Sequence, residues 1–191
     1  IKYMMSEEVI GCNPFSTIET HFKEEKVLPK IVSKFIVEKI LEYQYKMYRT
    51  GEMTPWARRY LLRDIVIIEL LFATGVRVSE LCSIRPGYID IYNMSVLIKG
   101  KGAKERIIQI SNGQIEEMLK KYMREFSAEI KKTGYLFVTK NTTRFSEQAA
   151  RAMIRKYRDK IGETIKLTPH MFRHAFATYL LEEDVDIRYI Q

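Results

Sequence analysis

Residues 54–80 read TPWARRYLLRDIVIIELLFATGVRVSE, and this stretch decides what kind of domain the chain can build. Thr54 followed by Pro55 is a helix start. A threonine side chain can accept a hydrogen bond from an unsatisfied first-turn N–H, and proline has the backbone angle of the first helical position. From there Leu61, Leu62, Ile65, Val66, Ile67, Ile68, Leu70, Leu71 and Phe72 fall on nearly every side of a helix running to about Thr74. A helix apolar all round belongs at the centre of an α-rich domain, because no face of it favours water. Gly75 ends it, since glycine takes the left-handed conformation that closes helices. A short helix through Ser79 to Cys82 follows, so Arg77 projects from the corner between two helices, with Glu80 near enough to brace it. Taken alone, the same two residues read as an ordinary surface ion pair.

Upstream, Ile1 to Gly11 reads as the end of a helix, and Cys12 to Lys30 as a linker with Asn13-Pro14 as its turn signal and Pro29 closing it. Ser33 can cap a helix through Ile36, Ile40, Leu41 and Tyr43, with Gly51 past its end. Downstream, Pro86-Gly87 marks a turn, and Tyr88 to Ile91, Ser95 to Lys99 and Arg106 to Ile110 read as three short strands. A helix is expected from about Asn112 to Ile130, and a short extended piece over Tyr135 to Thr139. Ser146 can cap a helix with Ala149, Ala150, Met153, Ile154 and Tyr157 on one face, a spacing that reads as core packing. Thr168-Pro169 repeats the threonine–proline start and opens a helix to Glu182 or Glu183; a last helix begins near Asp186. The fold class is mainly α with a small antiparallel three-stranded sheet, an α+β domain.

The chain has 191 residues and a formal net charge of +8, an excess that suits a polyanionic partner, nucleic acid first and an anionic membrane surface second. Cys12 and Cys82 are far apart and in no CxxC pattern, which argues against a disulfide framework or cysteine zinc site and fits a reducing cytoplasm. The longest apolar run, Ile65 to Ala73, is interrupted by Glu69 and falls short of a membrane span. The sequence opens at Ile1 with neither a start methionine nor a signal peptide, so a fragment of a longer protein is expected.

Two further stretches carry chemistry. In His170-Met171-Phe172-Arg173, a spacing of three puts His170 and Arg173 on one face of a helix. Its N-terminus offers free N–H groups and a positive dipole end to an anion such as phosphate. Met171, Phe172, Phe176 and Leu180 supply its apolar anchoring. His174 stands four residues past His170, but the glutamate that catalytic zinc helices carry after the first histidine is Met171 here, so His174 reads as a hydrogen-bonded structural histidine. The second stretch, Lys99-Gly100-Lys101-Gly102-Ala103-Lys104-Glu105-Arg106, is a basic, glycine-flanked hairpin that can follow a nucleic-acid backbone. It lacks the spacing of a nucleotide-binding P-loop, and its plain alternative is a solvated turn.

Taken together and in order, Thr74-Gly75-Val76-Arg77-Val78-Ser79-Glu80-Leu81, the Gly100-Lys101-Gly102 turn with Lys104-Glu105-Arg106, and Leu167-Thr168-Pro169-His170 with Arg173-His174-Ala175-Phe176-Ala177-Thr178 resemble the tyrosine recombinase (phage integrase) family, closest to its bacterial Xer-like and conjugative-element branch. The resemblance runs from about Pro29 to Gln191. It implies the tyrosine recombinase catalytic-domain fold over residues 29–191, without its C-terminal tail, preceded in residues 1–28 by the end of a core-binding domain and an interdomain linker. By motif it implies Arg77, Lys101, His170 and Arg173 as catalytic residues and Lys99, Lys104 and Arg106 as DNA contacts. The family's later Gly-His motif and its tyrosine nucleophile are expected beyond Gln191, since Tyr179 and Tyr189 come too early.

The implied activity is DNA strand cleavage and rejoining through a 3′-phosphotyrosine, with no cofactor and no metal. Arg77 and Arg173 would hold the non-bridging oxygens, and Lys101 would protonate the departing 5′-oxygen. His170 would either donate to a phosphate oxygen or take the tyrosine proton. The implied partner is a double-stranded DNA recombination site, with the full-length enzyme a tetramer on DNA and this chain alone a monomer, in the bacterial cytoplasm or nucleoid and away from membranes. The competing readings are a non-catalytic DNA-binding protein of the same fold, a type IB topoisomerase-like enzyme, and a helical protein-interaction module whose charge is incidental.

Overall fold

The computed structural model describes residues 1–15, 34–100, 105–110 and 113–182. Helix α3 spans Pro55–Thr74. The Thr54 hydroxyl accepts from the Ala57 N–H at 3.2 Å, and Gly75 closes the helix in the left-handed conformation, at φ 56°. Leu62, Ile65, Val66, Ile67, Ile68 and Leu71 are completely buried. The remaining helices are α1 (Lys2–Ser6), α2 (Lys34–Thr50), α4 (Val78–Ser83), α5 (Gly113–Glu125), α6 (Ser127–Thr133), α7 (Glu147–Lys160) and α8 (Pro169–Glu182). Helices α2, α4, α5 and α8 all pack on α3, and α7 packs on α4 and α8. The helix that is apolar all round is therefore the hub of the domain. Among the described residues, no helix is long and apolar enough to cross a membrane.

Two polar groups buried on α3 are answered from neighbouring helices, as burial demands. Tyr157 on α7 donates its hydroxyl to Asp64 at 2.8 Å, and Arg63 pairs with the same carboxylate at 2.7 Å. Tyr45 on α2 donates to Glu69 at 2.9 Å. Burial drives the Glu69 carboxyl above its ordinary range, against the lowering effect of that hydrogen bond.

A three-stranded antiparallel sheet lies on the α4 side of the hub, with β1 (Ile89–Asp90), β2 (Ser95–Lys99) and β3 (Glu105–Gln109) in the order β1-β2-β3. The β2–β3 register pairs Val96 with Ile108, Ile98 with Arg106 and Lys99 with Glu105. Val96 and Ile98 are buried. Arg106 and Ile108 therefore face inward, and Glu105 and Ile107 outward. The first strand is shorter than Tyr88 to Ile91, because Pro86–Tyr88 forms a 3-10 turn instead.

Two other expectations are corrected. The helix expected to reach Ile130 breaks at Phe126. The ring of Phe126 is completely buried between Tyr60 and Tyr122, at centroid distances of 5.5 and 4.7 Å. The guanidinium of Arg59 stacks over Phe126 at 3.9 Å and donates to the Glu125 carbonyl, so the broken turn is satisfied from α3. The piece over Tyr135 to Thr139 forms no ladder beyond one bridge between Val138 and Arg144. Its main chain is held by single bonds instead: Leu136 N–H to Ile84 at 2.8 Å, Tyr122 hydroxyl to the Leu136 carbonyl at 2.8 Å, and Arg63 to the Val138 carbonyl at 3.0 Å. The expected capping by Ser33, the 100–104 turn and the helix near Asp186 lie wholly or partly outside the described residues.

Candidate active site

The corner after α3 gathers charge. Arg77 sits just before the first residue of α4 in extended backbone, at φ −68° and ψ 148°. Its N–H donates to Glu80 Oε2 at 2.8 Å, and its guanidinium reaches Glu80 Oε1 at 3.2 Å. The Arg77 side chain stays 55% exposed while that of Glu80 is 5% exposed, so the carboxylate is the fixed post and the arginine head faces solvent. From the sheet, Arg106 places two guanidinium nitrogens on the same carboxylate, at 3.1 and 2.9 Å. Burial alone would raise the Glu80 carboxyl. The hydrogen bonds from Arg106 and from Arg77, with the Arg106 charge, outweigh burial and hold it below the ordinary glutamate value.

Helix α8 adds the third guanidinium. Arg173 donates to the Gly75 carbonyl at 2.7 Å, tying the second turn of α8 to the left-handed residue that ends α3. Close approach makes this possible: a Cβ at Gly75 would lie 2.2 Å from Phe176 Cδ1. Burial, then the charge of Arg77, push the Arg173 guanidinium below the ordinary arginine value, with Glu80 and Arg106 acting on it as well. Arg77, Arg106 and Arg173 thus share one electrostatic neighbourhood around a single carboxylate. That neighbourhood is net positive at a position fixed by three elements, and arginine forks match the geometry of a phosphate.

His170 is exposed in the first turn of α8, one helical turn before Arg173. His174, the next histidine along the helix, is also exposed. Lys99 ends β2 on the outer face, paired with Glu105 at 2.8 Å and 5.1 Å from the Tyr88 ring centroid. Lys101 and Lys104 lie outside the described residues. Tyr179 packs against Phe72, at 6.4 Å between centroids, with the Lys34 ammonium 4.7 Å from its ring. Among the described residues there is no group of three or more His, Cys, Asp or Glu side chains that could hold a metal ion.

Sequence reasoning placed Glu80 as the brace of Arg77 but did not see that Arg106 is bound to the same carboxylate. The signal was present in strand parity: Arg106 shares its face with Ile108 and Ile110, which point toward the core.

A helical hub with a small sheet carries three arginines around one buried carboxylate, a net positive corner. Comparison with known proteins gives the class. Residues 51–191 match the Phage integrase family, and the chain belongs to it. A tyrosine recombinase of Agathobacter rectalis is 44% identical over 189 residues, 99% of this chain and 61% of that protein. Tyrosine recombinase XerC of Bacillus subtilis is 34% identical over 195 residues, all of this chain and 60% of that protein. The chain thus spans about three fifths of the length of these relatives. Among solved structures, the XerA recombinase superposes with a TM-score of 0.70 at 29% identity, over 85% of this chain and 55% of that one. The XerH site-specific recombinase bound to its difH substrate, a pre-cleavage complex, gives 0.72 at 26% identity, over 86% of this chain and 46% of that one. The fold is that of the tyrosine recombinase catalytic domain.

Proposed function

We propose that this chain is the catalytic part of a site-specific DNA recombinase that cuts and rejoins strands by transesterification. The observation that carries the reading is the convergence of Arg77 and Arg173 on the end of α3, one held by Glu80 and the other by the Gly75 carbonyl. Membership of the phage integrase family and the DNA-bound state of the XerH relative support it. Residues 29–191 form the catalytic domain, and residues 1–28 the end of a core-binding domain with its linker. The partner is a double-stranded recombination site. The parent protein acts as a tetramer on DNA in the cytoplasm, while this chain alone is a monomer.

In the reaction, a tyrosine hydroxyl attacks the scissile phosphorus. The 3′-phosphotyrosine bond forms as the bond to the 5′-oxygen breaks, and a proton is delivered to that oxygen. Arg77 and Arg173 hold the non-bridging oxygens, where charge develops. Lys101 supplies the proton to the leaving oxygen. His170 either donates to a phosphate oxygen or takes the tyrosine proton. Lys99 and Lys104 are the basic residues of the hairpin assigned to the DNA side; Arg106, expected there with them, is taken up with Glu80. No residue of this chain is assigned as nucleophile. Tyr179 is occupied in packing against Phe72, which supports leaving it out.

The test is a suicide substrate carrying the recombination site, incubated with this chain and with the parent protein extended past residue 191, then run on a denaturing gel. A covalent band from the extended protein alone is expected. A band from this chain that vanishes on Tyr179→Phe would show the nucleophile misassigned, and no band from any extended protein would end the recombinase reading.

A further inference from the structure

We infer that Arg106 is a positioning residue that locks the β2–β3 hairpin to the Arg77 corner through Glu80, an inference that rests on the recombinase reading and goes beyond it. Arg106 is the second residue of β3, five positions past Lys101 in the sequence. Strand parity points it inward, where it meets the N-terminal turn of α4. There its fork takes both oxygens of Glu80, at 3.1 and 2.9 Å, while Oε2 also accepts the Arg77 N–H at 2.8 Å. One carboxylate therefore holds the residue assigned to the phosphate and the strand that leads out of the turn assigned to the leaving group. Glu80 is 5% exposed, so removing Arg106 strips a buried charge of two hydrogen bonds. The opposite face of the hairpin is pinned separately, by Lys99 to Glu105 at 2.8 Å. With its two terminal nitrogens on Glu80, Arg106 acts on the hairpin's distance from Arg77 and does not serve as a phosphate contact.

The experiment uses the full-length parent protein with Arg106→Ala, Arg106→Lys and, as reference, Lys101→Ala. Three quantities are read: amide hydrogen exchange of the β3 peptide, DNA affinity against salt, and single-turnover cleavage of ordinary and 5′-bridging phosphorothiolate sites. Misplacing a reacting group by an ångström costs on the order of a hundredfold, so both Arg106 variants should slow cleavage of the ordinary site by about ten- to hundredfold. Lysine keeps the charge but not the fork, and so should not rescue. The phosphorothiolate, whose leaving group needs little protonation, should restore Arg106→Ala along with Lys101→Ala. Exchange should rise in β3, and the salt slope should stay unchanged.

A salt slope lower by about one with unimpaired cleavage at saturating DNA would make Arg106 a phosphate contact and overturn the inference. Unchanged β3 exchange would overturn it too. That readout needs no chemistry, so it decides the clamp even if the parent protein forms no covalent adduct and the recombinase reading fails. Rescue of Lys101→Ala but not of Arg106→Ala would likewise exclude action through the hairpin.

Discussion

Substituting alanine for Gly75 strikes the point where α3, α8 and Arg173 meet. Two costs can be read from the geometry. Gly75 is left-handed at φ 56°, and an L-residue there pays about 1–2 kcal/mol for its Cβ against the neighbouring carbonyl. The new Cβ would also lie 2.2 Å from Phe176 Cδ1 and 2.9 Å from Cε1 and Cγ, so the ring and the α8 turn bearing it must move. Overpacking of this kind costs about 1–3 kcal/mol. The sum, about 2–5 kcal/mol, is a large part of the stability of an ordinary domain. Gly162 supplies the control: it is also left-handed, at φ 73°, but a Cβ there meets nothing within 4 Å. Gly162→Ala should therefore show the backbone cost alone, about 1–2 kcal/mol. Urea unfolding of both variants, read from midpoints at constant slope, separates the two costs. Equal destabilisation at the two positions would refute the packing of Phe176 on Gly75, and with it the placement of Arg173.

The remaining predictions concern metal and pH. On the proposed reading guanidinium groups meet the charge on the phosphate, so cleavage by the parent protein should survive EDTA; loss with EDTA and recovery with Mg²⁺ would contradict this. Glu69→Gln keeps an acceptor for the Tyr45 hydroxyl while removing a buried charge. The folded-state pKa of Glu69 is raised, so its favourable contribution is present below the ordinary value of 4.5 and is lost as pH rises through the folded value. The variant should therefore unfold at higher urea than the wild type near neutral pH and converge with it in acid; a lower midpoint at neutral pH would show that the carboxylate is needed as an ion.

Most of the scaffold was legible because its signals are local. The Thr54 cap, the all-apolar run to Thr74, the Gly75 stop and the Ser146 cap, whose hydroxyl accepts from Ala149 N–H at 3.1 Å, each rest on a few adjacent residues. What escaped depends on distant partners. The break at Phe126 is tied to Tyr60 and Arg59 on another helix, partners that the local spacing does not reveal. The segment over 135–139 is apolar like a strand, yet its hydrogen bonds go to scattered side chains and turns. In the site, Arg77 and the His170–Arg173 spacing could be picked out by motif, whereas the use of Gly75 as an acceptor for Arg173 is a contact across 98 residues. Arg106 was singled out for its charge, but its inward direction is set by the register with β2.

The central claim is that Arg77 and Arg173 answer the charge of one phosphate. It is tested most directly by replacing a non-bridging oxygen of the scissile phosphate with a methyl group, which removes that charge while leaving the bond to be cut. In the parent protein, Arg77→Ala and Arg173→Ala should each lose on the order of a hundredfold or more on the natural phosphodiester, the scale of removing one preorganised donor. On the methylphosphonate the same variants should cleave at rates close to that of the unsubstituted protein. An equal defect on both substrates would mean that these arginines do not act on the phosphate charge, and the account of the site would fall.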